Sequence, residues 1–187
     1  NPDWKGNYKV RYWDGAWQAL MLGEVETLMR TGFDGVYLDI VDGFEFFEWD
    51  EVRGDWIDNR KNPGTGNTFR EDMIRWVGRI AEQARRTKPD FVVVPQNGVQ
   101  LLASPEYRAV LDAIGVEDLF TNGNRIRKSG DTEYVLGFLA KARADRKPVW
   151  VIEYGTTPKA VQRSIEGAQE NGFLLLVTDR ELKTLGR

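Results

Sequence analysis

The sequence contains no cysteine and no histidine. Without cysteine there can be no disulfide, no thiol nucleophile and no Cys-ligated zinc or iron–sulfur centre. Without histidine there can be no Ser-His-Asp triad, no His-rich metal site and no histidine general base. Acid–base chemistry would therefore depend on Asp, Glu, Lys or Tyr, with carboxylates as the leading candidates. We expect no cofactor and no bound metal.

The sequence also lacks long apolar runs and an excess of charge of one sign. No run approaches the ~20 apolar residues that cross a bilayer, and the first residues lack the features of a secretion signal. The 26 basic and 29 acidic residues are interspersed and give a formal net charge of −3. Because no basic stripe is present, neither nucleic acid nor a membrane surface is predicted as a partner. No oligomeric state is indicated.

Short apolar runs alternate with segments of helical periodicity. Strands are predicted at Tyr8–Tyr12, Gly35–Asp39, Phe91–Pro95, Ala113–Val116, Val149–Tyr154 and Phe173–Thr178. Helices are predicted at Ala16–Arg30, Thr68–Thr87, Glu106–Leu111, Thr132–Ala144 and Pro158–Glu170. Repeated strand–helix units predict an α/β fold with parallel strands, either an open doubly wound sheet or a (β/α)8 barrel of the TIM type.

The number of units bears on the choice between these folds. Only about six strand–helix units can be counted, whereas a closed barrel has eight strands in ~250 residues. On the barrel interpretation, residues 1–187 form a single domain that lacks about two units at its N-terminal side. The segment Gly43–Asn67 is rich in Trp, Phe, Asp and Gly, and we predict a long functional loop there.

Polar residues follow every predicted strand. They are Tyr12, Trp13 and Asp14, then Asp39 and Asp42, Gln96 and Asn97, Glu117 and Asp118, Glu153 and Tyr154, and Thr178, Asp179 and Arg180. Ligands bind at the C-terminal ends of parallel strands, so these residues are site candidates. Asp14 and Asp179 are more typical of helix caps. Asp39 and Glu117 rank highest, because an acid at a buried strand end is costly unless it is paired.

Carboxylates beside aromatic rings are typical of a carbohydrate site. Aromatic rings stack on the apolar faces of sugars while carboxylates and amides bind the hydroxyl groups. The candidate stacking residues are Tyr12, Trp13, Trp49 and Trp56. Two opposed carboxylates, one a proton donor and the other a nucleophile or base, are the minimum that glycoside hydrolysis needs.

Three other interpretations remain open at this point. The same residues would suit a carbohydrate-binding barrel without catalysis. Asp39, Asp42, Glu117 and Glu153 would suit the oxygen-rich ligand set of a Mg²⁺-dependent barrel enzyme. A phosphate-binding barrel is less favoured, because only Gly155–Thr157 at a helix start has any likeness to a phosphate cradle.

Five stretches carry a family resemblance: YKVRYWDGAWQ, GFDGVYLDIVDGFEFF, VPQNG, IGVEDLF and VWVIEYG. Together they resemble glycoside hydrolase family 114, a family of (β/α)8 barrels that includes endo-α-1,4-polygalactosaminidases. The resemblance is stronger to a bacterial and archaeal branch of extracellular proteins, some of which carry an old label relating them to cysteinyl-tRNA synthetase. GFDGVYLDIVD is the most specific of these stretches.

The resemblance implies roles for particular residues. The family's catalytic acids end the fourth and sixth barrel strands, which implies Asp39 and Glu117 here. It implies contacts with substrate, or support of the acid pair, for a further set: Tyr12, Trp13, Asp42, Asn97, Glu153 and Tyr154.

The resemblance also implies a substrate and a location. The implied substrate is a polysaccharide, with α-1,4-linked galactosamine or N-acetylgalactosamine as the candidate sugar, and the implied location is extracellular or in the cell envelope. YLDIVD and GVEDL differ from the EPDNVD and NEQ-type contexts of the characterised polygalactosaminidases, so the barrel is implied more directly than the sugar. The family's first two strand–helix units, with their Y-x-S-x-G-E motif, have no counterpart in this sequence.

Overall fold

A computed structural model describes residues 6–183 and 186. In this range the α-helices are α1 Gly15–Arg30, α2 Phe44–Glu48, α3 Phe69–Thr87, α4 Pro105–Val110, α5 Ser129–Ala144 and α6 Pro158–Asn171. The strands are β1 Gly35–Leu38, β2 Trp49–Asp50, β3 Asp55–Trp56, β4 Val92–Pro95, β5 Ile114–Glu117, β6 Thr121–Asn122, β7 Arg125–Ile126, β8 Val149–Glu153 and β9 Leu174–Val177. Within the described residues, no helix combines the length and the apolar character that crossing a membrane requires.

Side-chain caps fix where the longer helices begin. The Asp14 carboxylate accepts hydrogen bonds from the backbone N–H groups of Ala16 and Trp17 at the start of α1. Thr68 and Glu71 form a reciprocal capping box at the start of α3. A cap of this kind stabilises a helix by about 1 kcal/mol. The prediction of Asp14 as a cap is confirmed.

The chain divides into two compact units, which are Asn1–Val36 with Ile40–Val92, and Tyr37–Asp39 with Val93–Arg187. In the first unit α1 and α2 pack against α3. Trp17 of α1 contacts Trp76 of α3 with a centroid separation of 5.3 Å. The buried stripe of α3 has the spacing of three and four residues that predicts a helix with one apolar side.

The second unit contains a parallel sheet. β8 lies between β5 and β9 and is parallel to both. Gln96, the residue after β4, forms a parallel bridge with Gly115 of β5, and its N–H donates to the carbonyl of Leu38 at 2.8 Å. The strand ends are therefore ordered β1, β4, β5, β8 and β9. Because parallel strands point the same way, the residues that follow them meet at one edge.

Two predictions of local structure are wrong. Residues 7–11 adopt no regular structure, and Tyr12 lies in a turn, although Tyr8–Tyr12 was predicted as a strand. A strand requires a neighbour for its backbone groups, which residue preference alone does not supply. The segment Gly43–Asn67 is not one long loop, because it contains α2 and the antiparallel hairpin of β2 and β3, in which Trp49 is paired with Trp56.

Candidate active site

Two consecutive amides in the second unit hold the two leading carboxylates. Asp39 follows β1 and is exposed, while Glu117 ends β5 and is half-buried. Gln96 Nε2 lies 3.4 Å from Asp39 Oδ1, and Asn97 Nδ2 donates to Glu117 Oε2 at 3.2 Å. Asn97 also accepts a hydrogen bond from the Glu117 N–H at 3.1 Å. The structure thus brings Asp39, Asn97 and Glu117 to neighbouring strand ends.

The backbone at these strand ends is strained. Ile40, Asn97 and Asp118 have φ angles of 58°, 59° and 50°, in the left-handed region. Asparagine and aspartate tolerate this region, whereas a β-branched isoleucine rarely adopts it. Each such residue costs about 1–3 kcal/mol and persists only where the surrounding structure holds it, which is common at functional sites.

A second group of side chains supports the other carboxylate oxygen of Glu117. The Tyr154 hydroxyl donates to Glu117 Oε1. The guanidinium carbon of Arg180 lies 4.4 Å from the centroid of the Tyr154 ring, and Arg180 Nη2 lies 2.6 Å from Asp118 Oδ2. Burial, followed by the hydrogen bond to Glu117, raises the pKa of Tyr154, so the phenol remains a donor. Both oxygens of Glu117 therefore face neutral donors, and this fixes the orientation of the carboxylate.

The resemblance implies that Glu153 contacts substrate or supports the acid pair. The structure does not give it a contact with substrate. Its side chain is completely buried. Its Oε1 accepts from the Phe120 N–H at 2.7 Å, and its Oε2 accepts from the N–H and hydroxyl of Thr121. Burial raises the pKa of Glu153. A sugar has no access to this carboxylate, which instead holds the segment after β5.

Tyr12, Trp13 and Asp42 are described within the first unit. Tyr12 is only 3% exposed, and its hydroxyl donates to the Phe69 carbonyl at 2.7 Å. This geometry makes Tyr12 a packing residue and does not leave a ring face for a sugar. The Trp13 ring is half-buried and packs edge-on against Tyr12 and Phe47, with centroid separations of 5.0 and 4.8 Å. Asp42 is half-buried in a short 3-10 helix. Roles for Trp13 and Asp42 in substrate binding remain predictions.

Tyr37 is a site residue that the sequence analysis missed. It belongs to β1 and lies two residues before Asp39, so the alternation of side chains along a strand puts both on the same face. Burial, and then the negative charges of Glu117 and Asp39, raise the pKa of Tyr37 to about 12. The two-residue spacing from Asp39 is the sequence signal that would have identified it.

The metal-dependent interpretation requires several acidic side chains close together. Over the described range, residues 6–183 and 186, no three acidic side chains are grouped closely enough to hold an ion. The four-carboxylate ligand set of the Mg²⁺ interpretation, with Asp39, Asp42, Glu117 and Glu153, therefore has no support from the geometry.

Comparison with known proteins gives the same assignment as the motifs. A sequence model of glycoside hydrolase family GH114 matches residues 1–187. The chain belongs to family 114. A relative from Deinococcus radiodurans, an uncharacterized protein, is 36% identical over 186 residues, which are 99% of this chain and 55% of that protein. Another uncharacterized relative, from Methanocaldococcus jannaschii, is 31% identical over 199 residues, at 99% of this chain and 54% of that protein.

A solved structure shows the fold of this family 114 chain. The glycoside hydrolase domain of PelA from Pseudomonas aeruginosa superposes with a TM-score of 0.69 at 22% sequence identity, covering 94% of this chain and 65% of that chain. The predicted fold class, an α/β fold of the (β/α)8 TIM type, is confirmed. The chain spans about half the length of the curated relatives it matches.

Proposed function

We propose that this chain is the catalytic part of a glycoside hydrolase that cleaves a polysaccharide with Asp39 and Glu117 as its acid pair. The observation that carries the proposal is the pairing of the consecutive amides Gln96 and Asn97 with one carboxylate each. Membership of family 114 supports the reaction class. No cofactor is needed, because two carboxylates supply both the proton and the nucleophile or base.

The roles within the pair follow from what each step needs. One carboxyl group must give a proton to the leaving-group oxygen, and the other must attack the sugar or activate water. Glu117 is oriented by donors on both of its oxygens, whereas Asp39 is exposed at the strand end. An exposed carboxylate can exchange protons with solvent, while a carboxylate that is held on both oxygens keeps a fixed direction of approach.

We take polymers of α-1,4-linked galactosamine and N-acetylgalactosamine as the first substrates, because the sequence resembles a family that contains polygalactosaminidases. An extracellular or cell-envelope location is part of the same proposal, since the family resemblance implies it. Tyr154, Asn97 and the half-buried Trp13 and Asp42 are the proposed additional substrate-side residues.

The test is cleavage of these polymers by the wild-type protein beside Asp39→Asn and Glu117→Gln. We expect each variant to lose about 10³-fold or more in turnover, since acid–base groups contribute ~10²–10⁴-fold. Asp34→Asn is the matched control, because Asp34 directly precedes the same strand, is 85% exposed and pairs with Lys88 at the surface. Its turnover should stay within about twofold of wild type.

The same assay distinguishes the alternatives. Unchanged turnover in Asp39→Asn or Glu117→Gln would overturn the acid pair. Binding of the polymers without any cleavage by the wild type would favour the carbohydrate-binding interpretation. Loss of turnover on adding EDTA, with recovery on adding Mg²⁺, would favour the metal-dependent interpretation.

A further inference from the structure

Asp118 turns the chain away from β5 directly after Glu117. Its φ angle is 50°, in the left-handed region, which aspartate tolerates better than most residues. Its N–H donates to the carbonyl of Ile152 in β8 at 3.0 Å, so Asp118 is still joined to the sheet. The conformation of Asp118 therefore sets the direction of the backbone immediately after Glu117.

Every hydrogen-bonding group of Asp118 is bound by another part of the second unit. Besides the N–H, its carbonyl accepts from Arg127 Nη1 at 2.8 Å and its Oδ1 accepts from the Gly123 N–H at 3.4 Å. Its Oδ2 accepts from Arg180 Nη2 at 2.6 Å. A residue in a rarely populated backbone conformation persists only where its surroundings hold it. These contacts are the surroundings that hold Asp118.

Arg180, which follows β9, connects Asp118 to the phenol that donates to Glu117. Its guanidinium carbon lies 4.4 Å from the centroid of the Tyr154 ring, while its Nη2 contacts the Asp118 carboxylate. The Tyr154 hydroxyl donates to Glu117 Oε1. One side chain thus contacts both the residue that follows Glu117 and a donor to its carboxylate.

The ion pair of Asp118 and Arg180 is too exposed to be a large source of stability. The side chains of Arg180 and Asp118 are 53% and 20% exposed. Ion pairs at the surface contribute little to the free energy of unfolding, because water and salt screen them. The effect of this pair should therefore be local, on the conformation around Glu117.

We infer that Asp118 and Arg180 are positioning residues, whose ion pair holds the backbone after Glu117 and the ring of Tyr154, so that the Glu117 carboxylate keeps one orientation. The inference rests on the proposed function for its effect on catalysis. The effect on the local backbone does not depend on that function.

The first experiment measures native-state hydrogen exchange by NMR in the wild type and in Arg180→Gln. Loss of the ion pair should loosen the turn after β5, so the Asp118 amide should exchange about three- to fivefold faster. The amide of Ile114, which is fully buried in the same strand, should exchange at the wild-type rate. A general loss of stability would accelerate both amides.

Arg108→Gln is the matched control. Arg108 also makes an ion pair of 2.6 Å in the second unit, with Asp145. Asp145 precedes β8 and Asp118 follows β5, so the two pairs lie at opposite ends of the parallel sheet. Arg108→Gln should leave the exchange of the Asp118 amide unchanged and keep turnover within about twofold of wild type.

The second experiment measures kcat and KM for variants of the pair. Arg180→Gln and Asp118→Asn should each lower kcat about tenfold with little change in KM, because a misdirected Glu117 slows the chemical step. Asparagine also tolerates the left-handed region, so Asp118→Asn removes the ion pair alone. Arg180→Lys restores a cation and should recover kcat to within about threefold of wild type. The double variant Asp118→Asn with Arg180→Gln should lose little more than either single variant.

The outcomes separate this inference from the proposed function. Wild-type exchange of the Asp118 amide in Arg180→Gln would overturn the inference, whether or not the protein is active. Normal turnover of Asp39→Asn and Glu117→Gln would overturn the proposed function and leave hydrogen exchange as the test of the ion pair. An equal fall in kcat in Arg108→Gln would contradict the inference, because it would show a general effect of losing an ion pair.

Discussion

The two units treat a buried or half-buried glutamate in opposite ways. In the first unit Glu48 is 1% exposed, and Arg70 contacts its Oε2 through Nε at 3.0 Å and Nη2 at 2.7 Å. In the second unit Glu117 is held by the amide of Asn97 and the phenol of Tyr154. No ion pair of Glu117 is found among the residues described, and Arg180 pairs with the neighbouring Asp118.

The difference shows how the surroundings of a structural acid differ from those of the proposed catalytic acid. A buried carboxylate that is neutralised by arginine is a fixed charge, and removing either partner leaves the other uncompensated. Neutral donors orient a carboxylate without fixing its charge through a cation, so it can still take part in proton transfer or attack. Glu48 fits the first description, and Glu117 fits the second.

The sharpest way to break this comparison is to make the same substitution at both positions. Glu117→Gln should abolish most turnover, by about 10³-fold, while changing the free energy of unfolding by less than about 1 kcal/mol. Glu48→Gln should lower the free energy of unfolding by about 3 kcal/mol, because Arg70 loses its charged partner. Urea denaturation and turnover measured on both variants check this. If both substitutions changed the free energy of unfolding equally, Glu48 and Glu117 would not differ as structural and proposed catalytic acids.

Glu153 sharpens the comparison, because it is buried in the second unit and has no ion pair among the residues that the structure describes. Glu153→Ala should lower the free energy of unfolding by about 2 kcal/mol, since the N–H groups of Phe120 and Thr121 lose their acceptor. Thermal denaturation measures this loss. A variant as stable as wild type would show that water replaces the carboxylate.

Glu153 also predicts a pH dependence of stability. Its pKa is raised in the folded state by burial, so the native protein binds this proton more tightly than the unfolded chain. The contribution of Glu153 to the stability of the folded protein is therefore complete below the pKa of a glutamate in the unfolded chain, about 4.3. This contribution is lost as pH rises through the pKa of Glu153 in the folded protein. The difference in free energy of unfolding between wild type and Glu153→Gln should shrink as pH is raised from about 4 to 7. A difference in free energy of unfolding that grows with pH would contradict the raised pKa of Glu153 in the folded protein.

The smallest expected effect concerns Tyr154. Tyr154→Phe removes one of the donors to Glu117 and keeps the ring under the Arg180 guanidinium. We expect turnover to fall by about tenfold and stability by about 1 kcal/mol. Steady-state kinetics with the same polymer, beside Tyr134→Phe as a control for an exposed tyrosine, measures the effect. Unchanged kcat would show that Asn97 alone orients Glu117.

The positions of the candidate acids were predictable from sequence because parallel strands have a fixed polarity. Short apolar runs located β1 and β5, and an acid after each run is then placed at the same edge of the sheet. The periodicity of α3 and the capping residues were equally local signals. These features depend on residues that are close in sequence, so the sequence alone was sufficient.

The supporting residues were not predictable in the same way. Glu153 and Asn97 both follow or end strands, and only the folded structure shows that one is buried against Thr121 and the other contacts Glu117. The segment Tyr8–Tyr12 has residue types that favour a strand, but no strand of the described part of the chain pairs with it. Burial and pairing depend on contacts between residues that are distant in sequence. Local sequence patterns do not predict such contacts.

The left-handed conformation of Asn97 bears on the stereochemistry of the proposed reaction. Consecutive side chains in an extended strand point to opposite faces, so Gln96 and Asn97 can contact neighbouring acids only because the chain turns between them. The relative position of the two carboxylates therefore depends on the backbone at Asn97. Retaining glycosidases need ~5–5.5 Å between the carboxyl groups and inverting ones ~6.5–9.5 Å. A substitution that straightened the backbone at Asn97 would therefore change the separation on which the stereochemical outcome of the proposed reaction depends.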